Sequence, residues 1–171
     1  MLETSFQQTH NISMTGGTEK LRYRLSGGYI SHDGVLITNK DKYERMNVSG
    51  FISADITKWF TQEATFSYAH TKNMEPSSAL GAIYSTRLGS YHPEGTMPEG
   101  ISTAGSAGLP FNTPSNQIRW SNPAKTLYDN PRIFLKSILK PFKGFQVAFE
   151  YTFDKNIYDY HWYTGSVDYT T

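Results

Sequence analysis

Apolar side chains recur at every second position in several separated stretches of this chain, and this period constrains the fold more than any other feature. The clearest stretch carries them at Phe145, Val147, Phe149, Tyr151 and Phe153. The residues between them are mostly polar, as in a β-strand that turns one face to an apolar medium and the other to water. An amphipathic helix would instead repeat every three or four residues. The period therefore predicts an all-β chain.

The same alternation, interrupted by turn residues, predicts six antiparallel strands in a meander. Their approximate bounds are residues 8–16, 20–32, 43–56, 60–72, 131–140 and 145–157. The fifth of them alternates poorly. Between the fourth and the fifth, residues 73–130 show no sustained period and hold six of the eight prolines, so we expect one long loop there.

The connections between the predicted strands alternate between short and long. Short turns are expected near Gly16 and Gly17, which can take positive φ angles, and again at residues 57–59 and 141–144. The connections at 33–42 and 73–130 are longer. Alternate connections of an up-and-down meander lie at the same end, so all short turns would share one end. Outer-membrane barrels show this asymmetry, with their long loops extracellular.

Aromatic residues make up 15 % of the chain, and many are placed near predicted strand ends. Trp59, Phe60, Phe142 and Phe145 lie at the short-turn end, and Tyr29, Tyr43 and Tyr68 lie towards the long loops. Two such groups are expected of the aromatic girdles at the two membrane interfaces. The alternative interpretation is that aromatic residues simply favour strands and cores.

Composition excludes several classes of protein. The 16 basic and 15 acidic residues leave almost no net charge, which argues against a nucleic-acid partner. No apolar run is long enough for a transmembrane helix, and the first residues do not form a secretory signal. The absence of cysteine removes disulfides, thiol nucleophiles and cysteine-based zinc sites.

No catalytic or cofactor motif is present, so we expect no enzyme activity, no metal and no cofactor. The five histidines are not spaced as metal ligands, and the carboxylates show no pairing that would shift a pKa. The best candidates for substrate contact are Tyr91 and Trp120 in the long loop, since aromatic faces stack on sugar rings. These residues could equally pack the loop on itself. Arg22 and Arg24 are expected to line a barrel lumen or to meet the carboxylates of a plug.

Six strands are too few to close a membrane barrel, which needs about eight, and an open sheet edge would be costly in lipid. The chain is therefore expected to be a piece of a larger transmembrane barrel. Two alternatives remain open. One is a soluble carbohydrate-binding β-sandwich, which would bury its apolar faces between two sheets. The other is a complete eight-stranded barrel, which would require two further strands.

Several short motifs, in order along the chain, resemble one family. Residues 8–20 read QTHNISMTGGTEK and are followed by a Gly-Tyr pair at 28–29 and by DGV at 33–35. Further on come YERMN at 43–47, ITKW at 56–59, and SNP with TLYD between 121 and 129. Together they resemble the start of the barrel in the SusC/RagA family of TonB-linked outer-membrane receptors, over most of the chain.

The resemblance implies a barrel of about 22 strands that is closed by an N-terminal plug domain. Such a receptor imports glycans or peptides with a SusD-like surface lipoprotein and draws energy from the TonB complex, across the outer membrane of a Gram-negative bacterium. The sequence matches only the first strands of that barrel. The signal peptide, the plug, the TonB-contacting segment and the remaining strands are expected to lie outside it.

Overall fold

The computed structural model describes residues 3–36, 38, 40–76, 109, 111 and 113–162. These residues form seven strands and one short helix. In chain order they are β1 (Gln7–Gly17), β2 (Leu21–Asp33), β3 (Lys42–Thr57), β4 (Phe60–Pro76), α1 (Pro114–Trp120), β5 (Pro123–Leu139), β6 (Val147–Asp154) and β7 (Ile157–His161).

All seven strands belong to one antiparallel sheet, in which each strand pairs with the next one along the chain from β1 to β6. The predicted all-β up-and-down meander is thus confirmed. Within the described residues the sheet is open: β1 forms one edge, while β6 and β7 form the other.

The strands β6 and β7 are two parts of one extended segment beside β5. Arg132 is paired with Asp154 and Asp129 with Ile157, which is the same register on both sides of the break. The interruption lies opposite Pro131, which has no N–H to donate to the neighbouring strand. The sixth predicted strand therefore continues beyond residue 157, to His161.

The long loop is shorter than predicted, because β4 extends to Pro76 and β5 begins at Pro123. The connection between β4 and β5 therefore covers residues 77–122 rather than 73–130, and most of it lies outside the described residues. The extra part of β5 was missed because it is mostly polar and lies between Pro123 and Pro131, which resemble strand breakers. The pairing with β4 runs without a shift along the whole strand.

The tight turn predicted at Gly16 and Gly17 comes slightly later in the chain, between Gly17 and Leu21, and neither glycine has a positive φ. Both glycines lie inside β1, and among the described glycines only Gly144 has a positive φ, at 88°. Close packing is the reason that glycine is needed at positions 16 and 17. A Cβ on Gly16 would lie 2.5 Å from the hydroxyl oxygen of Tyr23, and one on Gly17 would overlap the carbonyl oxygen of Leu21.

The predicted separation of short and long connections is confirmed by contacts at each end of the sheet. At the short-turn end, the Lys140 N–H donates to the Trp59 carbonyl at 2.7 Å, so two short turns lie side by side. At the other end, Lys40 in the β2–β3 connection donates from Nζ to the carbonyl oxygens of Arg119 and Ser121, both at 2.6 Å. The two longer connections therefore meet.

The helix α1 is short and closely capped. The Thr113 hydroxyl accepts a hydrogen bond from the backbone N–H of Asn116 at 3.3 Å, and Pro114 occupies the first turn, where its missing N–H costs nothing. Ile118 is fully buried. Through the hydrogen bonds from Lys40, this helix is held beside the β2–β3 connection.

The sheet has almost no core of its own. Among the described residues, Ile118 and Ala124 are the only buried hydrophobic side chains. All seven strands form a single layer, so the apolar side chains of the sheet remain accessible within the described part of the chain. A surface of this kind is stable only when a further apolar medium or protein covers it.

Candidate functional site: the two faces of the sheet

One face of the sheet, which we call the apolar face, collects the alternating apolar side chains of every strand. The pairing places Leu25 opposite Gly50, Gly50 opposite Phe66, and Phe66 opposite Ile133. Exposed members of this face include Ile12, Met14, Tyr23, Leu25, Met46, Ile52, Phe66, Ile133, Leu135, Phe149, Tyr151 and Phe153. Ile12 is 77 % exposed and Phe149 61 %, which is far above what a folded core allows.

The height of the apolar face matches that of a membrane. On β3 it runs from Met46 to Ile56, about 33 Å along the strand at ~3.3 Å per residue. At the ~45° tilt of barrel strands this is ~23 Å along the membrane normal, close to the ~25 Å apolar band of outer-membrane barrels.

Two polar side chains interrupt the apolar face and satisfy each other. The Ser137 hydroxyl donates to Gln62 Oε1 at 2.6 Å. The Gln62 amide nitrogen in turn donates to the backbone carbonyls of Glu63 and Lys136, both at 3.1 Å. Because its hydrogen bonds are internal, this pair costs little when water is removed from the face.

On the loop side, the apolar face ends in two hydrogen-bonded polar clusters. The Tyr29 hydroxyl points to Glu44, at 3.5 Å, and Glu44 also binds Lys42 at 3.1 Å and Lys72 at 3.3 Å. The hydrogen bond from Lys42, with a further one from Lys72, holds the pKa of Glu44 below its ordinary value, although partial burial opposes the shift. This cluster lies beyond Met46 and outside the apolar band.

The second cluster joins three side chains from β4 and β5. Asp129 accepts from the Tyr68 hydroxyl at 2.6 Å and contacts His70 Nδ1 at 2.7 Å. Tyr29 and Tyr68 thus have rings on the apolar face and hydroxyls directed to polar groups. Tyr43 differs, since its register places it on the opposite face, and its predicted place in the girdle is wrong.

At the short-turn end, aromatic rings contact each other within two of the turns. Trp59 and Phe60 have ring centroids 6.1 Å apart, and Phe142 and Phe145 stack at 5.1 Å. Trp59, Phe142 and Phe145 are all about half exposed or more. The turn end of the apolar face therefore carries aromatic side chains, as the sequence predicts.

The opposite face, which we call the polar face, is built from matching rows of side chains. One row, the amide row, crosses all strands at a single level: Asn11, Gly28, Asn47, Ala69, Asn130 and Asn156. The next row, the serine row, consists of Ser13, Ser26, Ser49, Ser67, Arg132 and Asp154. Neither row could be seen in the sequence without the strand register.

Side chains within these rows contact their neighbours. The hydroxyls of Ser26 and Ser49 are 2.7 Å apart, and Asn130 donates from its amide to Asn156. Arg132 Nε and Asp154 Oδ2 form an ion pair at 3.8 Å. The polar face thus presents neutral amides and hydroxyls, together with one ion pair whose two charges offset each other.

Small residues in the amide row shape the surface. A Cβ on Gly28 would lie 2.7 Å from Asn11 Oδ1 and 2.8 Å from Asn47 Oδ1, so these two amides reach over the glycine from both sides. Between Asn47 and Asn130, where Ala69 has only a methyl group, the polar face forms an open depression of about 510 Å³. Its wall includes Arg45 and Ile30.

Two tyrosines lie one row above the amide row. Tyr128 and Tyr158 are paired in the register of β5 and β7, and their ring centroids are 5.1 Å apart at an angle of 53°. Both rings are about half exposed. The two rings therefore lie next to Asn130 and Asn156 on the loop side, beside the depression rather than in its lining.

The structure places the sequence-predicted site residues differently. Trp120 is the last residue of α1 and is half exposed, while Tyr91 lies outside the described residues. Arg22 and Arg24 belong to the polar face, as expected of lumen residues, and Arg22 donates to the Ser53 hydroxyl at 3.3 Å. The long loop, which is expected to carry the ligand contacts, falls mostly on residues outside the described part of the chain.

Sequence reasoning missed the tyrosine pair and the amide row. The sequence places Tyr128 and Asn130 in the long loop, because it predicts the fifth strand only from residue 131. The sequence does contain a signal for the strand that carries Tyr158, since Tyr158 and Tyr160 alternate with Ile157 and Asp159 in β7. The alignment of the four asparagines depends on register and had no signal in the sequence.

Within the described residues, no three histidine or acidic side chains are grouped to hold a metal ion. None of the helices in that part of the chain has the length and hydrophobicity to cross a membrane. Comparison of the chain with models of known protein families, with curated proteins and with solved structures finds no match.

Proposed function

We propose that this chain is part of the transmembrane barrel of a TonB-dependent nutrient receptor of the SusC/RagA type, in the outer membrane of a Gram-negative bacterium. The observation that carries the proposal is the single-layer meander with one apolar and one polar face, short turns at one end and longer connections at the other. Lipid on one side and a polar interior on the other stabilise such a sheet.

The two open edges support a barrel larger than these strands. Unpaired backbone groups at an edge cost several kcal/mol each in lipid, on the order of the water-to-hydrocarbon transfer of an amide. Further strands must therefore pair with β1 and with β6 and β7 in the membrane. The SusC/RagA assignment itself rests on the sequence motifs. With it come a SusD-like lipoprotein partner, the TonB complex and a glycan or peptide substrate.

The soluble β-sandwich receives less support from the fold. A sandwich needs a second sheet against the apolar face, and the strands of the described residues all belong to one sheet. No observation on these residues favours it.

The proposal is tested by paired cysteine substitutions in the complete product of the gene, expressed in its own outer membrane. The chain contains no cysteine, so it adds no background labelling. Leu25 on the apolar face and Arg24 on the polar face are neighbours in β2 and both are exposed. A charged, water-soluble maleimide should label Arg24→Cys and spare Leu25→Cys, whereas a lipid-soluble maleimide should label Leu25→Cys.

Other labelling patterns contradict the proposal. If the protein fractionates as soluble and Leu25→Cys resists both reagents, the apolar face is packed against protein, as in a sandwich. If both variants react with the charged reagent, neither face is in lipid. The family assignment is checked separately: the purified receptor should bring down a surface lipoprotein, and its reading frame should encode a plug and more alternating strands.

A further inference from the structure

The side chains around the depression on the polar face have the hydrogen-bonding character of a sugar site. Amide groups such as those of Asn47 and Asn130 both donate and accept, and so do the hydroxyls of the serine row. A sugar hydroxyl needs the same pairing of one donor and one acceptor function. Arg132 and Asp154, bound at 3.8 Å, add one charged donor and one charged acceptor without adding net charge.

The depression also has the form that a sugar requires. Its volume of about 510 Å³ lies within the ~300–1,000 Å³ range of small-molecule sites. Gly28 and Ala69 keep the floor of the amide row low, while Tyr128 and Tyr158 present half-exposed rings one row above it. Sugar rings carry C–H faces that pack on aromatic rings while their hydroxyls point to polar neighbours.

We propose that the amide row, the Arg132–Asp154 pair and the Tyr128–Tyr158 pair form a glycan-binding subsite on the inner wall of the barrel. This inference rests on the proposed function and selects glycan over peptide as its substrate class. A sugar ring packs against the tyrosines, and its hydroxyls bind Asn130 and Asn156. Arg45 leaves one positive charge at the wall, which accommodates neutral and acidic sugars alike.

A peptide fits this surface less well than a glycan does. Peptides often bind by adding a strand to an exposed sheet edge, where backbone groups are free. The depression lies mainly over β3, β4 and β5, whose backbone groups already pair with strands on both sides. On one side it reaches Asp154 and Asn156 at the open edge, which a further strand would cover in the complete barrel. Recognition there must use side chains, and these are amides and hydroxyls rather than the apolar pockets that hold peptide side chains.

The test uses the complete receptor, purified in detergent, with short malto-, xylo-, manno- and fructo-oligosaccharides as probes and a mixed peptide pool for comparison. Binding is measured by saturation-transfer NMR and calorimetry. Tyr158→Ala should weaken binding of the recognised oligosaccharide about tenfold, because it removes the ring contact. Asn130→Leu should weaken it about threefold to tenfold, through lost hydrogen bonds.

Two matched variants separate recognition from folding. Tyr158→Phe keeps the ring and should bind within about twofold of the unmodified receptor. Tyr151→Ala removes a tyrosine of the apolar face from the neighbouring strand segment and should leave affinity unchanged. Heat-modified gel mobility checks that every variant is folded.

Three results overturn the subsite. Unchanged affinity in both Tyr158→Ala and Asn130→Leu would place the sugar elsewhere. Binding of the peptide pool but of none of the oligosaccharides would reverse the substrate class. A third result concerns hydrogen exchange in the variants compared with the unmodified receptor. If Asn130→Leu speeds exchange in another protein segment inside the barrel and leaves glycan affinity unchanged, the amide row holds protein instead of a sugar. In each case the cysteine labelling of Leu25 and Arg24 still decides separately whether the receptor proposal stands.

Discussion

Substitution of Phe66 by arginine tests most directly whether the apolar face meets lipid. Phe66 lies on β4 between Gly50 and Ile133, and its ring is 45 % exposed. Gly50 is about 13 Å along β3 from Met46 and about 20 Å from Ile56, at ~3.3 Å per residue. Phe66 therefore lies near the middle of the apolar band, where a charged group has the longest path to water.

The expected cost follows from this depth. Arginine at the midplane of an outer-membrane barrel destabilises it by ~2–4 kcal/mol, whereas near the interfaces the cost falls to ~0–1 kcal/mol. Phe66→Arg should therefore lower the folding equilibrium constant by about 30-fold to 800-fold, at ~1.4 kcal/mol per tenfold. Ile56→Arg, at the turn end of the same face, should cost at most ~1 kcal/mol.

The assay is guanidinium unfolding of the complete receptor in lipid vesicles, followed by tryptophan fluorescence and by heat-modified gel mobility. Thr65→Arg is the matched control, because Thr65 is next to Phe66 in β4 but belongs to the polar face. It should change the free energy of unfolding by less than ~1 kcal/mol.

Specific results would refute the reasoning. Equal losses for Phe66→Arg and Thr65→Arg would mean that the two faces do not differ in their surroundings. A loss for Ile56→Arg as large as that for Phe66→Arg would indicate a protein contact along the whole face, since a bilayer produces a depth-dependent cost. An unchanged Phe66→Arg would mean that water already reaches the face.

Gly17→Ala should destabilise the receptor by ~1–3 kcal/mol in the same titration, because the added Cβ would overlap a backbone carbonyl. Gly50→Ala is the control, since its Cβ has room, and it should cost less than ~0.5 kcal/mol. Equal costs for the two variants would contradict the packing argument. Glu44→Gln should lower Tm more at about pH 7 than at about pH 3. The folded-state pKa of Glu44 is lowered, so its contribution is present above the unfolded pKa and is lost as pH falls through the folded one. Lys40→Met should speed amide hydrogen exchange in α1, since it removes two hydrogen bonds to the end of that helix. Lys58→Met, in a distant turn, should leave this exchange unchanged. Equal exchange rates in the two variants would mean that Lys40 does not hold the helix.

The strands that alternate most regularly could be predicted from the sequence. In β3 and β6 the apolar period of two appears directly in the residues, and each prediction agrees with the structure to within a few residues. The polar start of β5 was missed, because residues 123–130 lack an apolar period and are bounded by prolines. Their strand conformation depends on pairing with β4, which is a long-range interaction.

The candidate site was the least predictable part. Sequence reasoning selected loop aromatics, Tyr91 and Trp120, on the general tendency of long loops to carry function. The residues that the structure brings together are on strands instead. Asn47 and Asn130 are far apart along the chain, yet only Ala69 separates them in the amide row. Such neighbours emerge only when the register of every intervening strand is known.

The sequence by itself determined that the chain is β-rich, which side chains share a face of each strand, and that short and long connections alternate. These properties are local, because the period of a strand and the chemistry of a turn involve residues close together in the chain. The tertiary structure decided how the strands align. That alignment joined separate polar stripes into the amide and serine rows, and it placed Tyr128 next to Tyr158 beside the depression. Cross-strand hydrogen bonds set it, and they connect residues that are distant in sequence.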